Sequence, residues 1–171
     1  MTEVLSEDEG APSSRPDMDA VLGPETVDFE VAAWERIETW TAYRFGERQV
    51  VWIVEGPGIW RARLRPATVE TVEVWRDDAW TATTANAAPL GLELDDRTFR
   101  ITATVGDTGD PPQGFMEAFR RLVEYMAEVE KDPAEGHSSV ADGDYSFTRP
   151  AGWAARAIHL SGAGDLLRAY R

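Results

Sequence analysis

The chain has 171 residues, a formal net charge of −14 and no cysteine. That length suits one domain with its own core. The charge argues against wrapping nucleic acid, whose affinity comes from Lys and Arg on phosphates, and the missing thiols exclude disulfides, zinc fingers, iron–sulfur ligation and thiol catalysis. No run approaches the roughly 18 consecutive apolar residues of a membrane-spanning helix. Glu3, Glu7, Asp8 and Glu9 stand where a secretory signal needs a basic start and an apolar stretch, so a protein made in the cytosol is expected.

Residues 1–27 hold seven acids and little apolar material, and Ser13-Ser14-Arg15-Pro16 and Gly23-Pro24 interrupt any pattern. They read as an acidic, flexible arm with at most a turn at Met18–Leu22. From Asp28 to Phe45 the apolar steps Val31, Trp34, Ile37 and Thr41 predict a helix with one buried face. Asp28 is placed to cap its start and Gly46 to end it.

The period then changes. Arg48–Glu55, Ile59–Leu64, Val69–Trp75, Trp80–Thr84, Leu90–Leu94 and Thr98–Val105 are short β-type runs between close turns, which predicts an antiparallel β insertion over 48–105. Arg76-Asp77-Asp78-Ala79 reads as one hairpin turn, and Asp95-Asp96-Arg97 as a second. Asp110-Pro111-Pro112-Gln113 then opens a helix over 111–130, with Phe115, Phe119, Leu122, Met126 and Val129 on one face, Glu117 and Arg121 paired on the other, and Pro133 as its stop. Glu135–Asp144 reads as a loop, and Pro150 opens a last helix over 150–160. The fold class expected is α+β: a small helical bundle with an antiparallel β-rich insertion and an extended C-terminal tail over 161–171.

That tail is basic and apolar on an acidic protein. From Arg149 onward four Arg face one acid, a net +3, which leaves −17 on residues 1–148. Leu166, Leu167 and Tyr170 at a chain end ask for a covering surface, so residues 161–171 read as a docking element.

No catalytic constellation stands out. His137 and His159 have no metal-ligand spacing. Glu70 and Glu73 are expected on opposite faces of one strand, and Asp77/Asp78 and Asp95/Asp96 in turns. Asp142-Gly143-Asp144 is only a fragment of a calcium loop. Gly56-Pro57-Gly58 lacks the helix and Lys of a phosphate loop. Trp34, Trp52, Trp75 and Trp80 sit at positions suited to core burial, with Trp40 and Trp60 less defined. Trp60-Arg61-Ala62-Arg63-Leu64-Arg65 is one short patch with the basic interleaving that a nucleic-acid stacking site needs, and it equally suits contact with an acidic neighbouring subunit.

Taken in order, several segments resemble the head–tail connector (adaptor, or head-completion) proteins of long-tailed phages and gene transfer agents. They are the Trp34–Phe45 helix running into Arg48-Gln-Val-Val-Trp-Ile-Val-Glu55, Gly56-Pro-Gly-Ile-Trp60, Pro66–Trp75, Phe99–Val105 followed by the Phe115–Tyr125 helix, Arg149-Pro-Ala-Gly-Trp153, and Ser161–Arg171. The resemblance covers residues 28–171, with 28–160 as the connector domain. It implies a non-enzymatic virion protein in the neck between capsid and tail, with no cofactor, metal or membrane. Such subunits form a ring, commonly of twelve, beneath the portal protein. They extend the channel through which DNA passes without specific binding, and carry the next tail component (a downstream connector or stopper). The resemblance implies portal docking through Leu166, Leu167, Arg168, Tyr170 and Arg171. Trp60, Arg61, Arg63 and Arg65 are candidates for the contact between subunits. A channel wall that repels phosphate suits the acidic composition, and a ring needs two different contact faces per subunit.

Two other classes remain. One is an acidic DNA mimic that sequesters a basic nucleic-acid-binding partner, which has no need of a basic, apolar tip. The other is a hydrolase using a carboxylate pair, which the placement of acids in turns and on exposed faces disfavours.

Overall fold

The computed structural model describes residues 1–131, 139–142, 145–148 and 156–171. His137, Gly143, Asp144, the stop at Pro133, Arg149-Pro-Ala-Gly-Trp153 and the 150–155 half of the expected last helix lie outside the described residues. The fold is α+β. The chain divides into a β unit, residues 1–16 and 42–109, and a helical unit, residues 17–41 and 110–171.

The β unit holds a five-stranded antiparallel sheet in the order β1 (Glu3–Glu9), β2 (Arg48–Glu55), β8 (Thr98–Val105), β4 (Ala67–Arg76), β5 (Ala79–Thr83). A three-stranded sheet adds β3 (Gly58–Trp60), β7 (Gly91–Leu94) and β6 (Asn86–Ala88). Strict alternation in β2 and β8 explains the core. Val50, Trp52 and Val54 face inward with Phe99, Ile101, Ala103 and Val105, joined by Trp60, Leu64, Val74 and Leu94. The β4–β5 turn sits where the sequence places it. Asp77 and Asp78 both take positive φ (50° and 59°), as a two-residue turn matched to strand twist requires. Directly behind it Trp75 and Trp80 form a cross-strand pair with ring centroids 5.1 Å apart. Trp75 is 44% exposed and Trp80 half-buried, so this pair staples a hairpin and is not the core element expected.

Residues 1–27 are not a flexible arm. Glu3–Glu9 is an edge strand paired antiparallel to β2, and Met18 is buried in the helical unit. A second correction concerns Asp95–Arg97, which does not close a hairpin. β7 pairs with β3 and β6, while β8 pairs with β2 and β4 in the larger sheet.

The helical unit is built on α1 (Glu30–Trp40) and α2 (Gln113–Lys131). Trp34 packs on Phe115 (5.5 Å between centroids) and Phe119 (5.2 Å), and Ile37, Leu122 and Val123 complete a dry interior. Val31, expected inside, is exposed, and Ala33 takes the buried position. The helix stops at Trp40 and not Phe45, because Thr41 turns to an extended conformation and returns both its N–H and its hydroxyl to the Ile37 carbonyl (2.9 Å each). Tyr43 and Phe45 then form single bridges to Arg65 and Asp107 in the β unit. In the stretch expected to be a loop, β9 (Ser139–Asp142) pairs antiparallel with β10 (Tyr145–Thr148). Two short helices follow, α3 (Ala157–Leu160) and α4 (Ala163–Leu166), then a 3-10 turn at Leu167–Tyr170.

Gly46 ends no helix, yet its position demands glycine. Its φ is +81°, and a Cβ there would lie 1.9 Å from the Ser14 carbonyl oxygen. The Gly46→Ala chain should therefore lose more than the ~1–2 kcal/mol that a left-handed conformation alone costs a non-glycine residue. Urea unfolding of both chains measures it.

Candidate functional site

The C-terminal segment was expected to leave its own globule, and it does not. α4 and the 3-10 turn pack on α2. Leu167 is fully buried, and the Tyr170 ring meets Phe115 edge-on with centroids 5.7 Å apart. The Arg171 guanidinium lies 4.3 Å from the centre of the Trp40 ring, whose other contact is the His159 imidazole, edge-on at 4.6 Å. Leu166 and Tyr170 are half-buried, while Arg168 and Arg171 are exposed. The extended tail is thus replaced by a folded one. The apolar tip finds its cover within its own unit, where the 3-10 turn that carries Leu167 packs on α2. Of the five candidates, Leu167 belongs to the core. Arg168 (paired with Asp165 at 3.1 Å on the open surface), Arg171 and parts of Leu166 and Tyr170 stay accessible.

The second candidate group also separates. Trp60 is a core residue, 3% exposed, against Trp52 at 5.4 Å. Short as β3 is, its register with β7 turns the indole inward. Arg61 and Arg63 are exposed. Arg65 is half-buried, and its backbone exchanges hydrogen bonds with Ala42 and Arg44 (2.9 Å each). Arg61 and Arg63 are therefore accessible for a contact, and Trp60 is not.

A third group went unseen in the sequence. Glu9, at the end of β1, accepts from Arg44 Nε (2.7 Å) and Nη2 (3.1 Å) and from Arg48 Nη1 (2.8 Å). Arg44 and Arg48 are 7% and 5% exposed, and Arg48 also donates to the Phe45 carbonyl at 2.9 Å. Two residues earlier, Glu7 accepts from the Trp52 indole N–H at 2.6 Å. Burial pushes the Glu9 carboxyl up, but the hydrogen bonds and charges of Arg44 and Arg48 outweigh it and hold the group below its ordinary value. The only sequence signal was the two-residue spacing of Glu7 and Glu9, which puts both on one face of a strand.

Several other acids have local partners. Glu73 accepts from Arg100 (2.6 Å), whose guanidinium also lies 4.9 Å from the Trp80 ring centre. Glu70 accepts from Thr104. Arg100 and Thr104 are four residues apart on β8, so both glutamates lie on one face, contrary to expectation. The bulge between Val69 and Thr71 resets the alternation. Asp95 pairs with Arg97, and Glu117 with both Arg120 and Arg121. Hydrogen bonds from those two arginines lower the Glu117 carboxyl to about 2. Among the described residues no group of three or more His, Cys, Asp or Glu is placed to hold a metal ion, and no helix is long and apolar enough to cross a membrane.

No protein-family model, curated protein or solved structure matches the chain.

Two outcomes follow from this geometry. Leu167→Ala should cost about 2–5 kcal/mol in chemical unfolding, and Leu166→Ala under about 1 kcal/mol, since only Leu167 leaves a dry cavity. Glu9 has a folded pKa below the ordinary 4.5. It therefore contributes stability above that pH, and the contribution is lost as pH falls through the native value. Glu9→Gln should cost about 2–3 kcal/mol at pH 7, by removing a charged acceptor from two nearly buried arginines. It should also flatten the acid limb of a stability–pH curve.

Proposed function

We propose that the chain is a connector subunit of a phage or gene-transfer-agent neck. It is a structural, non-enzymatic protein that assembles as a ring beneath the portal, extends the DNA channel and carries the next tail component. The observation that carries this reading is the way the chain is interleaved. A helical unit made of residues 17–41 and 110–171 is interrupted by an antiparallel β unit and closed by short helices, which supports the helix, β-insertion, helix, short-helix order on which the resemblance rests. β1 and the β9–β10 pair are additions to that order.

Arg168, Arg171 and the open parts of Leu166 and Tyr170 support portal contact. The two arginines put accessible positive charge at the end of a chain whose net charge is −14, and charge complementarity sets encounter and register at an interface. Leu167 has no part in it. Arg61 and Arg63 supply a second cationic group, suited to an acidic surface of the next subunit. The abundant acids suit a channel wall, because a DNA conduit works by repelling phosphate. Many such contacts made together around a ring hold firmly even when each is weak.

The test is to mix the chain with the portal protein of the same genome and examine the mixture by negative-stain electron microscopy. A ring seated on the portal is expected. Arg168→Glu, which leaves the Arg171–Trp40 contact in place, should weaken attachment about tenfold or more, equivalent to at least ~1.4 kcal/mol, while thermal unfolding stays close to that of the parent. Failure of the parent chain to bind the portal, with tight binding to a basic DNA-binding protein instead, would support the DNA-mimic class.

A further inference from the structure

β1 is an unusual edge strand, because little of what holds it is apolar. Val4 is only partly buried against the core, and Leu5 is 52% exposed. What holds the strand is the backbone ladder, running from Glu3–Glu55 to Glu9–Val50, and two carboxylates on directed donors. Glu9 meets the convergent guanidinium groups of Arg44 and Arg48, and Glu7 meets the Trp52 indole N–H. All three donors belong to the body of the β unit. Without β1 they would frame an open sheet edge, with two nearly buried cations at one end and an N–H donor beside them. Such an edge recognises an extended segment carrying carboxylates at positions i and i+2.

We infer that the β2 edge, with Arg44, Arg48 and Trp52, is a binding site for an acidic extended segment, and that residues 3–9 of a second copy exchange with the chain's own β1. The contacts are the same whichever copy supplies the strand, so exchange costs no interface. The occupant's chemistry is fixed by charge: the site offers cations, and Glu3-Val-Leu-Ser-Glu-Asp-Glu9 is among the most acidic stretches of the chain. The connection follows the same edge. Gly10 and Ser13 donate to the Gln49 and Glu47 carbonyls, so the exchanging segment carries residues 10–13 with it, and the hinge falls at Arg15-Pro16, before the chain enters the helical unit at Asp17. The inference stands apart from the connector reading. Strand exchange would link copies of this chain whether or not a portal is their partner.

The chain has no cysteine, which makes exchange directly readable. Ser6 and Ile53 face each other across the β1–β2 register. The Ser6→Cys, Ile53→Cys chain is prepared with natural and with heavy nitrogen, and the two are mixed, incubated, oxidised and digested. Mass spectrometry then reads the 6–53 disulfide-linked peptides. Exchange predicts mixed heavy–light pairs whose share rises with protein concentration and incubation time. A second measurement needs no variant of the protein. A fluorescent peptide of residues 1–12 should bind the full chain saturably, and its Glu9→Gln form about tenfold more weakly or worse, as expected for loss of a charge-assisted contact. Mixed pairs, or binding that depends on Glu9, establish exchange. Same-label pairs alone at every concentration, together with no Glu9-dependent peptide binding, overturn it.

Discussion

Glu9 sets one carboxylate against two guanidinium groups that are almost closed to solvent. Taking that carboxylate away from arginines so nearly buried is costly. The strand that delivers Glu9 is therefore part of the β unit and not an appendage to it. From that contact the local arrangement follows. β1 covers the β2 edge, Gly10 and Ser13 continue the backbone bonding to Gln49 and Glu47, and the Ser14 carbonyl closes on Gly46. Arg48 in turn ties the Phe45 and Gly46 carbonyls at the entrance to β2. The acidity that makes residues 1–9 look like a solvated arm is what fastens them.

The two ends of the chain solve the same problem by opposite means. At the acidic end, directed polar contacts hold a strand that buries little. At the basic end, one buried leucine and two ring contacts hold a segment that looked as if it needed a foreign surface. Folding Leu167 inward leaves the guanidinium groups of Arg168 and Arg171 outside.

Local periodicity made the α1 and α2 faces legible, as it did the alternating strands β2 and β8 and the Asp77–Asp78 turn. In each of these the residues that matter lie within a few positions of one another. What stayed hidden was non-local. The pairing of Glu9 with Arg44 and Arg48 spans more than thirty residues, and a polar strand has no hydrophobic alternation to announce it. Sheet membership was equally out of reach. β7 and β8 are adjacent in sequence and look like a hairpin, yet they belong to different sheets, β7 between β3 and β6 and β8 between β2 and β4. The bulge at Glu70 reversed an inference from alternation, since one extra residue flips every side chain beyond it. Among the candidate contact residues, Trp60 and Leu167 were misread for one reason. An apolar side chain near a basic run looks like an interface until the core that claims it is in view.

Amide hydrogen exchange along the intact chain tests most directly whether residues 3–9 are a strand held by Glu9. At neutral pH the amides of β1 that bond to β2 should be protected well above the rate of an unstructured peptide. They should lose that protection before those of β2 and β8 do as the pH is lowered below about 4.5, the ordinary glutamate value. Exchange of residues 3–9 at the unstructured rate at neutral pH would contradict the account.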